Sequence, residues 1–317
     1  MNEATRKILN NLTKSFLLKN YNYTYLKTML MKGKQFSKKG STLITGSSYA
    51  LSGIKEVIWN NAVNCSCSSQ DLYYDFRCAR DVISTVPQNT FSKCFIVKGY
   101  YAAYHDLSSS KKEREKMITD VYYPLFRDAH NWQTPQEKDL FEEVFAETTG
   151  DATVGLKNLI EECAVDVMMN YGTYYNQLRT RGGDVFNLSG KEWNEILADD
   201  REDLCKYRAD CHNKLFAHKG TIEENKEIFK DYIHFLHLNN ILPVFVITPF
   251  MPTYSRNIAP EMKDSIMELF DAASGELHFV DFNQSDYFTE FDFVDTDHLN
   301  ETGAQKMSQI LAEMFGK

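Results

Sequence analysis

Asp295, His298 and Ser48 have the residue types and the spacing for nucleophilic chemistry. Asp295 stands three residues before His298 in the run DTDHLNETG, and a carboxylate at that spacing can orient and charge-balance an imidazole. Ser48 follows the apolar run STLIT and precedes helix-compatible sequence over 51–60. A serine on such a turn projects its hydroxyl from the carboxyl edge of a sheet, beside the free N–H groups of a helix N-terminus. The three residues are therefore candidates for a Ser-His-Asp triad built from two distant loops.

Two motifs occur in a fixed order, each after an apolar strand-like run. Gly46-Ser47-Ser48 stands near the N-terminus, and Asp295-x-x-His298 near the C-terminus. In this respect the chain resembles the SGNH (GDSL-type) hydrolase superfamily, over about residues 40–104 and 240–317. Gly-Ser-Ser in place of Gly-Asp-Ser is similar to the DltD-like branch, which modifies glycopolymers. The resemblance implies that Ser48, and not Ser47, is the nucleophile, with His298 as general base and Asp295 as its orienting partner.

The resemblance also implies an oxyanion hole built from Ser48, Ser69 and Tyr100. The run from Asn64 to Gln70 has the shape of the second family block, in which a glycine donates its backbone N–H; here Ser69 takes that position. The third block normally presents an asparagine side chain after a strand. This chain has Tyr100 after its strand and no asparagine there, so the Tyr100 hydroxyl is the candidate replacement donor.

Substrate contacts are expected from side chains at strand ends and in the helical middle of the chain. Strand ends line the ligand crevices of open α/β sheets, and the strand predicted over 241–247 leads directly to Thr248. The residues assigned to substrate binding are Tyr49, Asn64, Tyr101, Thr248 and Pro249. Further candidates in the middle of the chain are Tyr171, Tyr174, Tyr175 and Arg179, near the Gly182-Gly183 turn.

The hydrophobic pattern predicts an α/β fold: a doubly wound, mostly parallel sheet flanked by helices in three layers. Residues 1–40 are predicted to form a helical lead-in, and residues 41–317 the hydrolase-like domain. Charge and helix formers dominate residues 105–225, which predicts a helical insertion that caps the sheet. A box-like arrangement of Thr221 and Glu224 predicts the start of the next core helix. A last helix is predicted over 303–315.

Bulk properties exclude some classes of protein. A net charge of −9 argues against nucleic-acid binding, which usually needs a basic face. No run approaches the ~20 apolar residues of a membrane span, and the N-terminus lacks an apolar signal core, so a cytoplasmic location is expected. The seven cysteines are scattered and odd in number, which suits reduced thiols. The spacing Cys65-x-Cys67 is too short for a standard zinc knuckle. We therefore expect no metal and no cofactor.

The leading interpretation is a serine esterase or O-acyltransferase that works through an acyl-enzyme. Its expected substrate is a carbohydrate or cell-envelope precursor carrying an acetyl or similar small acyl group, and the acyl donor could be a thioester. One rival is a carbohydrate- or acyl-binding protein that kept the fold and lost turnover. Another is a metal-assisted hydrolase that uses Asp295, Asp297 and His298. Otherwise Asp297 is expected to point away from the base and cap the final helix, and the pair His105-Asp106 is a weaker candidate for base and orienter.

Overall fold

A five-stranded parallel sheet forms the centre of the fold. The computed structural model describes residues 21–59, 61–110, 114–132 and 193–316. Within these residues the strand order is β2-β1-β3-β4-β5, and every neighbouring pair is parallel. The predicted α/β class is confirmed. The strands are β1 (Ser41–Gly46), β2 (Ala62–Asn64), β3 (Phe91–Lys98), β4 (Leu242–Ile247) and β5 (His278–Asp281).

Helices cover both faces of the sheet. Adjacent residues of β3 show the two faces, because side chains alternate along a strand. The Cys94 thiol lies 3.3 Å from the hydroxyl of Tyr232 on one face, and the Phe95 ring packs 5.7 Å from that of Phe315 on the other. This is the predicted three-layer arrangement. The α-helices are α1 (Tyr21–Lys34), α2 (Ser48–Gly53), α3 (Leu72–Ile83), α4 (Tyr123–Phe126), α5 (Ala198–Asn213), α6 (Lys219–Leu238), α7 (Pro252–Asn257), α8 (Pro260–Ala272) and α9 (Glu301–Phe315).

The central strands consist mainly of apolar residues, and these residues are buried. Leu43 and Ile44 of β1 and Val244 and Phe245 of β4 are all completely buried, as expected for parallel strands covered on both faces. Each crossover between parallel strands needs a helix, and the amphipathic helices α3 and α6 fill that role. Their rings stack directly, with the centroids of Phe76 and Tyr232 5.3 Å apart.

The chain divides into two compact units. One comprises residues 1–28 and 107–180, and the other comprises residues 29–106 and 181–317, which include the whole sheet. In the first unit, the described residues 107–132 form short helical segments, including a π-helical stretch Arg114–Tyr122 whose Met117, Ile118 and Val121 are buried. Among the described helices, none combines the length and the apolar character that a bilayer crossing needs.

Two helix boundaries differ from the sequence-based expectation. Helix α2 ends at Gly53 and is followed by a separate 3-10 turn, Glu56–Ile58, so the helix predicted over 51–60 is interrupted. Helix α6 starts at Lys219, two residues before the predicted cap, because the Thr221 N–H already bonds to His218 O at 3.0 Å. Predictions on Tyr171, Tyr174, Tyr175, Arg179, Gly182 and Gly183 lie outside the described residues.

Candidate active site

The turn after β1 requires a glycine. Gly46 has φ +145°, and a Cβ there would lie 2.3 Å from the carbonyl oxygen of Val97 and 2.9 Å from Cβ of Ala50. Gly46 pairs with Val97, so the absence of a side chain lets the end of β1 lie against β3 while the chain turns into α2. In the order β2-β1-β3, the connections diverge between β1 and β3, which is where open α/β sheets form ligand crevices. Ser47 and Ser48 therefore stand at this crevice.

The structure distinguishes the two neighbouring serines. The Oγ of Ser48 lies 2.9 Å from Nε2 of His298, and Ser48 is only half-buried. Ser47 is 2% exposed, and its Oγ has no hydrogen-bond partner among the described residues. Only Ser48 thus combines contact with an imidazole and access from solvent.

His298 is held by Asp295 through its other ring nitrogen. Nδ1 of His298 lies 3.0 Å from Oδ2 and 3.1 Å from Oδ1 of Asp295. Oδ1 also accepts the backbone N–H groups of Asp297 at 2.9 Å and His298 at 2.7 Å. Because an ionised carboxylate only accepts hydrogen bonds, Nδ1 carries the proton and Nε2 is free to accept the proton of Ser48. This is the proton arrangement that a serine nucleophile with a histidine base requires.

The residues that follow His298 explain how this loop is fixed. The Asn300 side chain caps α9 by accepting the Gly303 N–H at 3.0 Å, and its amide donates to the carbonyls of Phe291 at 2.7 Å and Phe293 at 3.2 Å. A Cβ on Gly303 would lie 2.2 Å from the backbone oxygen of Asp292. Asn300 and Gly303 therefore join the loop to the start of α9 at close range, and Asn300 takes the capping role that had been assigned to Asp297.

Asp297 instead forms a second carboxylate beside the base. Its oxygens accept from Arg208 Nε at 3.2 and 3.1 Å, from the Tyr49 hydroxyl at 2.8 Å and from the Thr296 hydroxyl at 2.7 Å. Oδ1 of Asp297 lies 3.7 Å from Nδ1 of His298. Burial alone would raise the pKa of Asp297, but the charges of His298 and Arg208 outweigh it and hold that pKa well below its usual range.

The two carboxylates raise the pKa of His298. Burial by itself lowers the pKa of this imidazole, and Arg208 acts in the same direction, but the charges of Asp295 and Asp297 and the hydrogen bond to Asp295 outweigh both. The imidazolium form is therefore favoured relative to a free histidine. A base with a raised pKa accepts a proton more readily once the pH is high enough to keep it neutral.

The group Asp295, Asp297 and His298 offers three ligand atoms within 4.8 Å of one another. The geometry nevertheless fits a metal poorly. The carboxylate oxygens of Asp297 already accept from Arg208, Tyr49 and Thr296. A guanidinium that contacts the carboxylate also repels a cation. The metal-assisted reading is therefore disfavoured by the contacts around these residues.

The backbone N–H groups of Ser48 and Ser69 are the candidate oxyanion donors. The Ser48 N–H belongs to the first turn of α2 and so has no partner within the helix. The segment around Ser69 lies against the end of β1, where the Cys67 N–H donates to Gly46 O at 3.2 Å. Ser69 itself is half-buried with φ +54°, a left-handed conformation that glycine adopts more easily. Ser69 therefore holds a backbone conformation that a glycine would adopt at lower steric cost.

Asn64 and Tyr100 have different partners from those expected. Asn64 is 2% exposed; its amide donates to Ala50 O at 2.9 Å and its Oδ1 accepts from the Ser66 N–H and hydroxyl. It braces α2 and the Ser69 segment, and has no exposed group for substrate. The Tyr100 hydroxyl donates to Asp281 Oδ2 at 2.6 Å, and burial together with that carboxylate raises the pKa of Tyr100. That contact argues against Tyr100 as the missing oxyanion donor.

The other predicted substrate residues are mainly structural. Thr248 is 1% exposed and Pro249 is buried, because the end of β4 is covered. Tyr49 is 1% exposed and its hydroxyl is bonded to Asp297. Tyr101 is half-buried, with its ring 6.1 Å from that of Tyr49 and 4.1 Å from that of His212. Tyr101 is therefore the one of these residues that combines a position next to the site with partial exposure.

A buried ion pair between Lys98 and Asp75 contacts the residue that follows Ser69. Lys98 Nζ lies 2.5 Å from Oδ2 of Asp75 and donates to Gln70 O at 2.6 Å. The Gln70 amide in turn donates to Asp75 Oδ1 at 2.7 Å. Burial raises the pKa of Asp75 to about 6 against the opposing effects of Lys98 and Gln70. The network ties the residue after Ser69 to the ends of β3 and α3.

Sequence reasoning did not place Arg208 at the site; it interpreted His212 as a surface or packing histidine and Tyr254 as the end of a substrate-facing loop over 248–254. Arg208 and His212 lie one turn apart on α5, and His212 Nδ1 is hydrogen-bonded to the Tyr254 hydroxyl. Burial and then the charge of Arg208 lower the pKa of His212 to about 3, so this histidine is neutral. His105, the weaker candidate base, packs its ring 5.6 Å from that of Tyr101, whereas His298 contacts Ser48. The spacing of four residues between 208 and 212 indicates that both side chains lie on one face of a helix. Nothing in the sequence indicated that this helix packs next to the candidate triad.

Comparisons with known proteins place the chain in no established family. No family model matches it, and no curated protein matches it. Among solved structures, it is similar to a Streptococcus pneumonia protein provisionally described as a platelet activating factor, with 10% identity, a TM-score of 0.44, and coverage of 99% of this chain and 100% of that one. A likeness this weak supports no inference about function.

Proposed function

We propose that this chain is an SGNH-type serine esterase or O-acyltransferase that forms an acyl-enzyme on Ser48. The observation that carries the proposal is the contact of Ser48 Oγ with His298 Nε2 at 2.9 Å, together with the contact of His298 Nδ1 with Asp295 Oδ2 at 3.0 Å. Half-burial of Ser48 and its place at the carboxyl edge of the sheet, next to the β1/β3 crevice, add support.

In the proposed reaction, His298 Nε2 takes the proton of the Ser48 hydroxyl while Oγ bonds to an ester or thioester carbonyl carbon. The negative charge that develops on the carbonyl oxygen is stabilised by the backbone N–H groups of Ser48 and Ser69. The protonated His298 then donates its proton to the leaving alcohol or thiol as the carbonyl C–O or C–S bond breaks. In the second half, His298 takes the proton of a water or sugar hydroxyl as that oxygen bonds to the acyl carbon, and it returns the proton to Oγ of Ser48 as the Oγ–acyl bond breaks.

The substrate class follows from the resemblance alone. Gly46-Ser47-Ser48 is similar to the glycopolymer-modifying branch, so we propose an acetyl or similar small acyl group on a carbohydrate or cell-envelope precursor. The cytoplasmic location expected from the N-terminal sequence stays a prediction. Acetylated sugars and acetyl thioesters are the first substrates to assay, with free sugar added to detect transfer in competition with hydrolysis.

Intact mass after incubation with a fluorophosphonate tests the proposal. One adduct per chain is expected for the unmutated protein and for Ser47→Ala, because the Ser47 hydroxyl contacts no described partner. Ser48→Ala should give none. Ser47→Ala is the matched control, since both variants remove one hydroxyl from the same turn. An adduct that persists in Ser48→Ala, or that is absent from the unmutated protein, would contradict an activated Ser48.

A second candidate function is binding without turnover. The observation that favours it is the Tyr100 hydroxyl, which donates to Asp281, while no asparagine follows β3 to replace it. Loss of one oxyanion donor typically costs ~10²–10³ in rate. This alternative predicts saturable binding of acetylated sugars, measured by calorimetry, with no adduct on Ser48 and no ester cleavage.

A further inference from the structure

The Arg208–Asp297 ion pair lies directly behind the candidate base. Nε of Arg208 contacts both oxygens of Asp297, at 3.2 and 3.1 Å, and Oδ1 of Asp297 is 3.7 Å from Nδ1 of His298. Nδ1 is already held by Asp295 at 3.0 Å. The imidazole therefore faces two carboxylates, and only one of them has a cationic partner among the contacts of the described residues.

Two unbalanced carboxylates would impair a histidine base. Each buried negative charge beside Nδ1 stabilises the imidazolium, and a protonated His298 cannot accept the proton of Ser48. The side chain of Asp297 is 1% exposed, and the side chain of Arg208 is 37% exposed. The carboxylate therefore acts on His298 at low dielectric, while the guanidinium that balances it is partly screened by solvent.

Arg208 is presented by a firmly anchored helix. Cys205, Ala209 and His212 line the buried side of α5. At its C-terminal end, Asn213 bonds to the backbone of α7 and the residue that precedes α8, donating to Asn257 O at 2.8 Å and accepting from the Ala259 N–H at 2.9 Å. The helix that carries the guanidinium is thus anchored to α7, and the guanidinium itself contacts Asp297.

We propose that Arg208 is a positioning residue for the base: by holding and neutralising Asp297, it keeps the His298 imidazole available in its neutral form. The inference deepens the proposed function and rests on it, because it assigns a role within the same triad. Asp297 and Arg208 do not contact the reacting atoms and act only through His298.

Other titratable groups lie close enough to the His298–Asp297 pair to influence the pKa of His298. Within the described residues, the remaining neighbours on α5 and α7 are neutral near pH 7, because burial lowers the pKa of His212 to about 3 and raises that of Tyr254. The titratable or charged groups around the pair are Asp295 from the same loop, Ser48 and Tyr49 from α2, Tyr101 and His105 after β3, Cys205, Arg208 and His212 from α5, and Tyr254 from α7.

Titration of the His298 ring by NMR, in full-length protein labelled with ¹⁵N-histidine, tests the proposal without any need for turnover. Arg208→Met removes the balancing charge and should raise the midpoint by about one pH unit. Asp297→Asn removes a carboxylate and should lower it. The double variant should fall between Asp297→Asn and the unmutated protein, because the nearer, buried carboxylate acts on His298 more strongly than the partly exposed guanidinium. The His298 signal is identified by its loss in His298→Gln.

Two controls separate charge from structural damage. Arg201→Met removes a guanidinium from the same helix, where it pairs with Glu290 at 3.3 Å, and should leave the His298 midpoint unchanged. Arg208→Lys keeps the charge and should stay close to the unmutated midpoint. A midpoint that is unchanged or lowered in Arg208→Met would overturn the inference, even if activity fell.

The same variants, followed by fluorophosphonate labelling, link the titration to the chemistry. The acid limb of the rate profile should move with the NMR midpoint in Arg208→Met. If the unmutated protein is not labelled at all, the proposed function fails while the order of the NMR midpoints still decides the role of Arg208. If labelling occurs but its pH profile is the same in Arg208→Met, the inference fails and the proposed function stands.

Discussion

Ser48 Oγ lies 2.9 Å from His298 Nε2, although 250 positions separate the two residues in the chain. The first residue follows β1, the strand next to the centre of the sheet, and the second precedes the last helix. Parallel strands place their carboxyl ends at one edge, so loops that are distant in sequence meet there. The contact is therefore a consequence of sheet topology together with the fixed loop around Asn300.

Asp295→Asn is expected to slow labelling of Ser48 by about 10³-fold or more, because the amide can neither balance the imidazolium nor fix the Nδ1–H tautomer. Asp295 Oδ1 accepts from the His298 N–H and lies 3.1 Å from Nδ1. The measurement is the second-order rate constant with a fluorophosphonate. Asp286→Asn, at an exposed position that precedes the triad loop, is the control and should react like the unmutated protein. A similar rate for Asp295→Asn would remove Asp295 from the site.

The rate of Ser48 labelling should fall on acidification, with the midpoint of the fall above pH 6.5. Burial lowers the pKa of His298, but Asp295 and Asp297 outweigh it and raise that pKa. Only the neutral imidazole accepts a proton, so the rate should fall about tenfold per pH unit below that midpoint. The profile is measured between pH 5 and 10 on the unmutated chain. A midpoint at or below 6.5 would mean that burial dominates.

The raised pKa of His298 also predicts how the free energy of unfolding depends on pH. The folded-state pKa of His298 is above the unfolded value of about 6.5, so protonation stabilises the folded chain. This contribution is fully present below about pH 6.5 and is lost as the pH rises through the folded-state pKa. Urea unfolding at several pH values should show a smaller decline in stability across that window in His298→Gln than in the unmutated chain. Equal declines would contradict the assigned direction.

Ser69→Val should slow labelling by about 10²-fold, whereas Ser69→Gly should retain the rate. Ser69 has φ +54°, which a β-branched residue tolerates poorly, and a shift of this residue would move its N–H away from the oxyanion. Asn89→Val is the matched control, because Asn89 has φ +63° in the turn before β3. It should lose a similar stability of about 1–2 kcal/mol and keep the labelling rate. Equal rates in both valine variants would exclude the Ser69 N–H as a donor.

Lys98→Met should destabilise the fold by about 3–5 kcal/mol, because it leaves Asp75 buried without its cation. The two side chains are 4% and 0% exposed, with Nζ 2.5 Å from Oδ2. Urea unfolding measures the loss. Lys98→Met combined with Asp75→Asn should recover most of it, since the charge is then removed as well. A double variant no more stable than Lys98→Met would show that the ion pair is not the cause.

Chelation should leave labelling of Ser48 unchanged. Both oxygens of Asp297 accept from Arg208, so the carboxylate that a metal would need is already occupied. The measurement compares labelling before and after EDTA treatment. Loss of labelling with EDTA, restored by added zinc, would support the metal-assisted alternative instead.

Local pattern in the sequence was sufficient to predict strands of the central sheet. The apolar runs at 41–45 and 241–247 were predicted as buried strands, and β1 and β4 form over nearly the same residues. Helix ends were less well predicted: Thr221 and Glu224 have the pattern of a cap, but the backbone is already helical at Lys219. A cap motif favours a helix start without excluding an additional turn before it.

The sequence by itself determined the α/β class and singled out Ser48, Asp295 and His298 as a candidate triad, because strand patterns and short-range motifs are local properties. Only the tertiary structure decided the partners of the surrounding polar groups. Asn64 braces the backbone, Tyr100 donates to Asp281, and Arg208 reaches Asp297 from α5. These contacts depend on which elements the packing brings together, since a polar side chain that is buried must find whatever partner lies within hydrogen-bond distance. Residue spacing along the chain carries no information about that distance.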